Sequence, residues 1–219
     1  MIKVKFCGLR RTEDMAAVNR LHPDFAGFVF AKSKRQVSAE QATELKRKLN
    51  PGIKTVAVLV NMPVAEAASL ADAGIADLLQ LHGDEDEAYI AKLKTLTQAK
   101  IIKAIRLKNE EPAANAKLLA EAAQSDYYLF DTFIPEAYGG TGKTFSLSLL
   151  NSLPIDKPFF LAGGLDADNV AEIIGQVQED TRLLPYFYGV DVSGGIETDG
   201  HKDSVKMEAF MKAIHQIYK

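Results

Sequence analysis

The chain has 219 residues, of which 47% are apolar, 8% aromatic and 25% charged, a composition that excludes disordered and collagenous classes. Its 26 basic and 29 acidic side chains leave a net charge of −3, no footprint for nucleic acid, and no apolar run approaches the roughly 18–20 residues that cross a bilayer. The single cysteine, Cys7, excludes an intrachain disulfide and any multi-cysteine zinc site.

Apolar runs of strand length alternate with helical periods from end to end. Strands are predicted at Ile2 to Cys7, Phe25 to Phe30, Thr55 to Val60, Asp77 to Leu81, Ile101 to Ile105, Tyr127 to Asp131, Pro158 to Ala162 and Phe187 to Val192. Most are continuous apolar runs, as expected of parallel strands covered on both faces. Helices are predicted at Thr12 to Arg20, Ala39 to Leu49, Val64 to Ala73, Glu85 to Leu96, Ala113 to Ala123, Asp168 to Val177 and Ser204 to Ile217, with a short one at Phe145 to Leu150. Thr12 before Glu13 and Asp14, and Ser38 three residues before Gln41, read as helix starts, and Gly74 as a stop.

No Pro/Ser-rich linker divides the chain, so residues 1–219 are expected to form one parallel α/β domain. Eight units of about 27 residues suit a lean (β/α)₈ barrel, with an open doubly wound sheet as the competitor. The N-terminal MIKVKFCGLRR carries no apolar signal core, and a cytoplasmic location is expected.

Both architectures bind ligands at the carboxyl ends of strands. The first strand ends at Cys7, either a small buried hydrophobe or a reactive thiolate, with Arg10 and Arg11 close behind. The second runs into a basic loop with Lys32, Lys34 and Arg35, either a solvated surface or an anion contact. Gln80 and His82 end the fourth and point the same way. The acids after His82 suit a helix N-terminus better than a metal site. Asp131 ends the sixth strand behind four apolar or aromatic residues, either a general acid, which poor hydration there would suit, or a helix cap or turn residue, as is common for Asp.

Gly163 and Gly164 follow the seventh strand, and Ser193, Gly194 and Gly195 follow the eighth. Turns of this kind at these two positions are where barrels hold phosphate, which decides for the barrel. AYGGTGKT, residues 137 to 144, fits the loosest P-loop pattern through Lys143 and Thr144, but suits a glycine-rich active-site loop better than a nucleotide site.

In order along the chain, VKFCGL, GFVFAKSKRQVS, LLQLHGDE, IKAIR, LFDT, GGTGKTF, FLAGGL, NV and YGVDVSGGIET followed by KD resemble the phosphoribosylanthranilate isomerase family of tryptophan biosynthesis. The resemblance implies an Amadori rearrangement of N-(5-phosphoribosyl)anthranilate, a small phosphosugar–anthranilate substrate, without metal or organic cofactor. It places the general base on Cys7, the general acid on Asp131 and the anthranilate-carboxylate contact on Arg35. It places further substrate contacts on His82, Gly163, Gly164, Asp191, Ser193, Gly194 and Gly195. Arg10, Arg11 and the SGGIE sequence depart from the family pattern without touching the acid–base pair.

No nucleic-acid or membrane partner is expected, and a monomer is favoured, although no sequence feature fixes the oligomeric state. Competing readings are another phosphate-binding barrel enzyme (a sugar-phosphate epimerase or an indole-forming synthase), a P-loop nucleotide kinase, and a non-catalytic phosphosugar-binding barrel. The epimerase would need metal ligands, and the synthase a lysine-and-glutamate set at the strand ends. Neither stands out in the sequence.

Overall fold

The computed structural model describes residues 2–107, 112–131, 147–150 and 153–218. Its strands are β1 (Lys3–Cys7), β2 (Phe25–Val29), β3 (Lys54–Leu59), β4 (Leu78–Leu81), β5 (Lys100–Arg106), β6 (Tyr127–Asp131), β7 (Phe159–Ala162) and β8 (Phe187–Val192). They pair in chain order, all parallel, and β8 returns to β1 in the register Lys3 with Gly189 through Phe6 with Val192. The competing open sheet is thereby excluded.

Helices α1 (Thr12–Leu21), α2 (Ala39–Lys46), α3 (Val64–Asp72), α4 (Glu87–Leu96), α5 (Pro112–Glu121), α6 (Val170–Glu179) and α7 (Ser204–Ile217) alternate with these strands. Between β6 and β7 the described residues hold a 3-10 turn, Leu147–Leu150. The AYGGTGKT segment lies outside the described residues.

The continuous apolar strands are explained by two cores. Phe6, Phe28, Phe130, Phe159, Leu161 and Val190 face outward and pack with Phe210, Met207 and Ile173 of the helices. Inside the barrel, Val56, Leu78, Ile102, Leu129 and Phe160 fill the centre. Near the amino ends of the strands an aromatic plug closes the floor. Phe160 stacks with Phe25 at 5.6 Å, with Tyr188 at 5.2 Å and with Tyr127 at 6.0 Å between ring centroids.

Helix boundaries shift where a side chain captures the first amides. Asp14, rather than Thr12, organises the start of α1, with Oδ2 accepting from the backbone N–H of Arg10 and Arg11, each at 2.9 Å. Ser38 and Gln41 form the expected reciprocal cap of α2. That helix ends at Lys46, because the backbone N–H groups of Lys48 and Leu49 turn back to carbonyls three residues earlier. Asp86 accepts from the Tyr89 N–H at 2.8 Å and starts α4 two residues later than Glu85.

The sequence pattern did not reveal the hairpin of β9 (Glu197–Thr198) and β10 (His201–Lys202), whose strands have two residues each. It sets Glu197 opposite Lys202 beside the barrel mouth.

Truncating the central aromatic ring should open a cavity that the closed barrel has little freedom to collapse. Phe160→Ala is expected to cost about 3–5 kcal/mol in denaturant unfolding. A loss under about 1 kcal/mol would contradict the plug.

Candidate active site

At the carboxyl ends of the strands a cavity of about 760 Å³ opens, lined by residues that include Cys7, Arg35, His82, Asp131, Gly164 and Asp191. Cys7 is the last residue of β1, and its residue is only 8% exposed. Two positions earlier on the same inward-facing side, Lys5 is fully buried, with Nζ 2.9 Å from Asp191 Oδ2 on β8. Burial pushes the Cys7 thiol above its ordinary value and Asp191 adds to the push, while Lys5 and Lys202 oppose it. Arg10 and Arg11, the basic residues that follow Cys7, turn away. Arg11 binds Asp14 and the Lys202 carbonyl, and Arg10 binds the Gly200 carbonyl and the His201 ring.

Gln80, His82 and Asp131 form a second group. The Gln80 amide nitrogen and His82 Nδ1 are 3.0 Å apart, which directs His82 Nε2 toward Asp131 Oδ2 at 3.4 Å. If the amide donates, as this orientation has it, Nδ1 is the acceptor and Nε2 carries the proton facing the carboxylate. Asp131 sits at the mouth with 24% of its side chain exposed, wetter than the apolar run before it suggests. It ends its strand where the interior gives way to solvent.

The acid run after His82 has a different use from helix capping alone. Glu85 is buried, and its carboxylate accepts from the N–H groups of Asn61 and Gly83 and from Lys103 Nζ. Lys103 also donates to the Gly83 carbonyl. This buried cluster anchors the loop that carries His82. Among the described residues, no three His, Cys, Asp or Glu side chains group as a metal site would need.

Arg35 reaches the mouth from the loop after β2, but Nε and Nη2 form a bidentate pair with Glu197 at 2.7 and 2.6 Å. Lys202 Nζ joins Glu197 Oε1 at 2.7 Å and also donates to the carbonyl and hydroxyl oxygens of Ser193. Burial alone would raise the Glu197 carboxyl, yet the two cations hold it down at about 2. The Ser193 hydroxyl donates to the Cys7 carbonyl at 3.1 Å, so it ties the β8 turn to β1.

Gly163 and Gly164 turn the chain after β7 with φ of 92° and 65°, and Asn169 Nδ2 fixes the Gly164 carbonyl. Gly194 and Gly195 begin a 3-10 turn after β8. A Cβ on Gly195 would fall 2.0 Å from the Leu165 carbonyl, whereas one on Gly194 would meet nothing within 4 Å. The two glycine turns are therefore in contact, and their backbones line the same cavity.

The structure thus brings Cys7, Arg35, His82, Asp131, Gly163, Gly164, Asp191, Ser193, Gly194 and Gly195 to one pocket. Lys32 lines it as well. Sequence reasoning missed Lys5, Glu197 and Lys202. Lys5 had a signal: a lysine inside an apolar strand, two residues before Cys7. Glu197 and Lys202 lie in the SGGIET and KD pieces of the resemblance, but their pairing depends on the short hairpin, which no periodicity marks.

A closed parallel barrel with a polar pocket at its carboxyl face and two glycine turns after its last strands is a (β/α)₈ barrel of the arrangement that frequently holds a phosphate. The family model for N-(5′-phosphoribosyl)anthranilate (PRA) isomerase matches residues 4–213. The N-(5′-phosphoribosyl)anthranilate isomerase of Thermoanaerobacter sp. (strain X514) is 45% identical over 217 residues, covering 99% of this chain and 100% of the relative. The phosphoribosyl anthranilate isomerase structure from Thermotoga maritima superposes with a TM-score of 0.80 at 31% identity, covering 99% of this chain and 100% of that one. A further solved isomerase, in complex with reduced 1-(o-carboxyphenylamino)-1-deoxyribulose 5-phosphate, gives 0.76 at 28% identity, over 99% and 100% of the two chains. The chain belongs to the N-(5′-phosphoribosyl)anthranilate isomerase family.

Two outcomes follow from the local geometry. Gly194→Ser should fold with stability within about 0.5 kcal/mol of wild type, while Gly195→Ala should be destabilised by about 1–3 kcal/mol. Equal thermal midpoints for these two variants would contradict the close approach of the turns.

The Glu197 carboxyl lies below its ordinary 4.5 in the fold, so its pairing stabilises fully above that pH and is lost as pH falls toward about 2. Glu197→Gln should therefore show a shallower loss of stability than wild type between about pH 4.5 and pH 2.5 in urea titrations. Parallel acid limbs would contradict the pairing.

Proposed function

We propose that this chain converts N-(5-phosphoribosyl)anthranilate to 1-(2-carboxyphenylamino)-1-deoxyribulose 5-phosphate with Asp131 as general acid and Cys7 as general base. The observation that carries the reading is that a carboxyl from β6 and a thiol from β1 face one pocket beside two glycine turns. Family membership supports the reaction itself.

Asp131 gives its proton to the ribose ring oxygen, the C1′–O bond breaks, and an iminium forms between C1′ and the anthranilate nitrogen. Cys7 Sγ then takes the C2′ proton, and that C–H electron pair becomes the C1′=C2′ bond while nitrogen regains its lone pair. The enolamine loses its O2′ proton and gains one at C1′, leaving the ketone. His82 Nε2 faces the carboxylate left on Asp131 after proton transfer. Burial pushes the Cys7 thiol up, so its proton must leave to water before it can act as base, and the positive charge that the iminium brings beside the sulfur favours that loss.

The backbone N–H groups of Gly164, Gly194 and Gly195 hold the phosphate, with Gly163 setting the turn, since such turns aim several donors at one anion. Asp191 accepts from a sugar hydroxyl through Oδ1, which is buried and has no hydrogen-bond partner among the described residues. Arg35 holds the anthranilate carboxylate with N–H donors other than the two engaged by Glu197, a guanidinium having five. Ser193 acts indirectly, by holding its turn against β1.

We place the enzyme in the cytoplasm, as a monomer with one catalytic domain. Among the described residues no helix is long and apolar enough to cross a membrane.

With substrate generated in situ, Cys7→Ala and Asp131→Asn should each lower kcat by at least about 100-fold, the lower end of general acid–base contributions, while product binding persists. Near-normal turnover in either variant would remove that residue from its role.

A further inference from the structure

Lys5 is an unexpected residue for a barrel centre. Its strand neighbours Val4 and Phe6 are apolar, its side chain is fully buried, and its acidic partner is Asp191, at 2.9 Å. A buried ion pair is seldom more stabilising than apolar side chains of the same volume, so stability alone does not account for it.

The geometry supplies a second use. A Cβ placed on Gly27 of β2 would lie 3.1 Å from Cys7 Sγ and 3.2 Å from Lys5 Nζ. Sulfur and ammonium therefore converge on the one point where β2 presents no side chain.

We propose that Lys5, anchored by Asp191, is a positioning residue that stabilises negative charge on Cys7 Sγ from beneath the substrate pocket. The proposal rests on Cys7 being the base. The remaining charged groups around the sulfur are accounted for. Asp191 on β8 opposes ionisation, Lys202 on β10 and Arg35 after β2 are shared with Glu197, and His82 and Asp131 face each other across the pocket. Lys5 is the strongest of the positive influences on the thiol and outweighs Asp191. Gly27 is then required by the contact itself, since any side chain there would press on both groups.

Because Cys7 is the sole cysteine, alkylation by iodoacetamide followed by intact mass reports on this thiol alone. Lys5→Met leaves the Asp191 carboxylate buried and unpaired and is expected to destabilise the fold, so Lys5→Met/Asp191→Asn carries the test. In that double variant the pH midpoint of alkylation should rise by at least about one unit, which is a tenfold loss of thiolate at neutral pH. The kcat should fall at least tenfold with the pH limb displaced in the same direction. An alkylation profile that overlays wild type, in a variant with wild-type circular dichroism, would overturn the proposal. Turnover in Cys7→Ala tests the base assignment separately, because the alkylation profile does not depend on isomerase activity.

Discussion

The contact between Lys5 and Asp191 spans 186 positions of sequence and joins the first strand to the last. It forms only when β8 closes on β1, in the register that sets Lys5 opposite Asp191. Two buried charges tolerate no slip: a shift of either strand by one residue would turn its charge to the helix-facing core and leave the other buried without its partner. The same closure puts Cys7 at the rim, aligns the Ser193 hydroxyl with the Cys7 carbonyl, and brings the β8 turn against the β7 turn. Fold and site share one constraint.

Around that centre the pocket divides its electrostatics. Glu197 gathers Arg35 and Lys202 into a group linking the β2 loop, the hairpin and the β8 turn. Positive charge is thereby held at the rim, where the proposed mode of binding brings the anionic ends of the substrate. Glu85 and Lys103 do for the β4 loop what Glu197 does for the β2 loop, by holding backbone and side chain from behind. A net charge of −3 is compatible with an anionic substrate because the local field, rather than the total, governs its approach.

Much of this was legible from the residues. Continuous apolar strands implied parallel pairing, and paired glycines after the last two strands implied turns at the barrel mouth, which line one pocket. The shared direction of Gln80 and His82 followed from strand parity alone. Other features required coordinates. Glu85 looks like a helix-start acid, and only the packing of β5 beneath the loop shows that Lys103 claims it. Arg10 and Arg11 are close to Cys7 in sequence, yet the turn at Gly8 sends them outward, and the nearby cations come from Lys5 and Lys202. Cys7, open between a buried hydrophobe and a thiolate in the sequence, is pushed up by burial, while Lys5 and Lys202 oppose that push.

The central claim is that acid and base flank the sugar while the glycine turns grip its phosphate. A crystal structure with the reduced product analogue bound tests this most directly. The account predicts phosphate oxygens on the N–H groups of Gly164, Gly194 and Gly195. It also predicts C2′ at about 3.5 Å from Cys7 Sγ, a near-attack separation, and the C4′ oxygen beside the Asp131 carboxyl. A ligand bound in the reverse sense, with phosphate on Arg35 and the aromatic ring at the glycine turns, would contradict it.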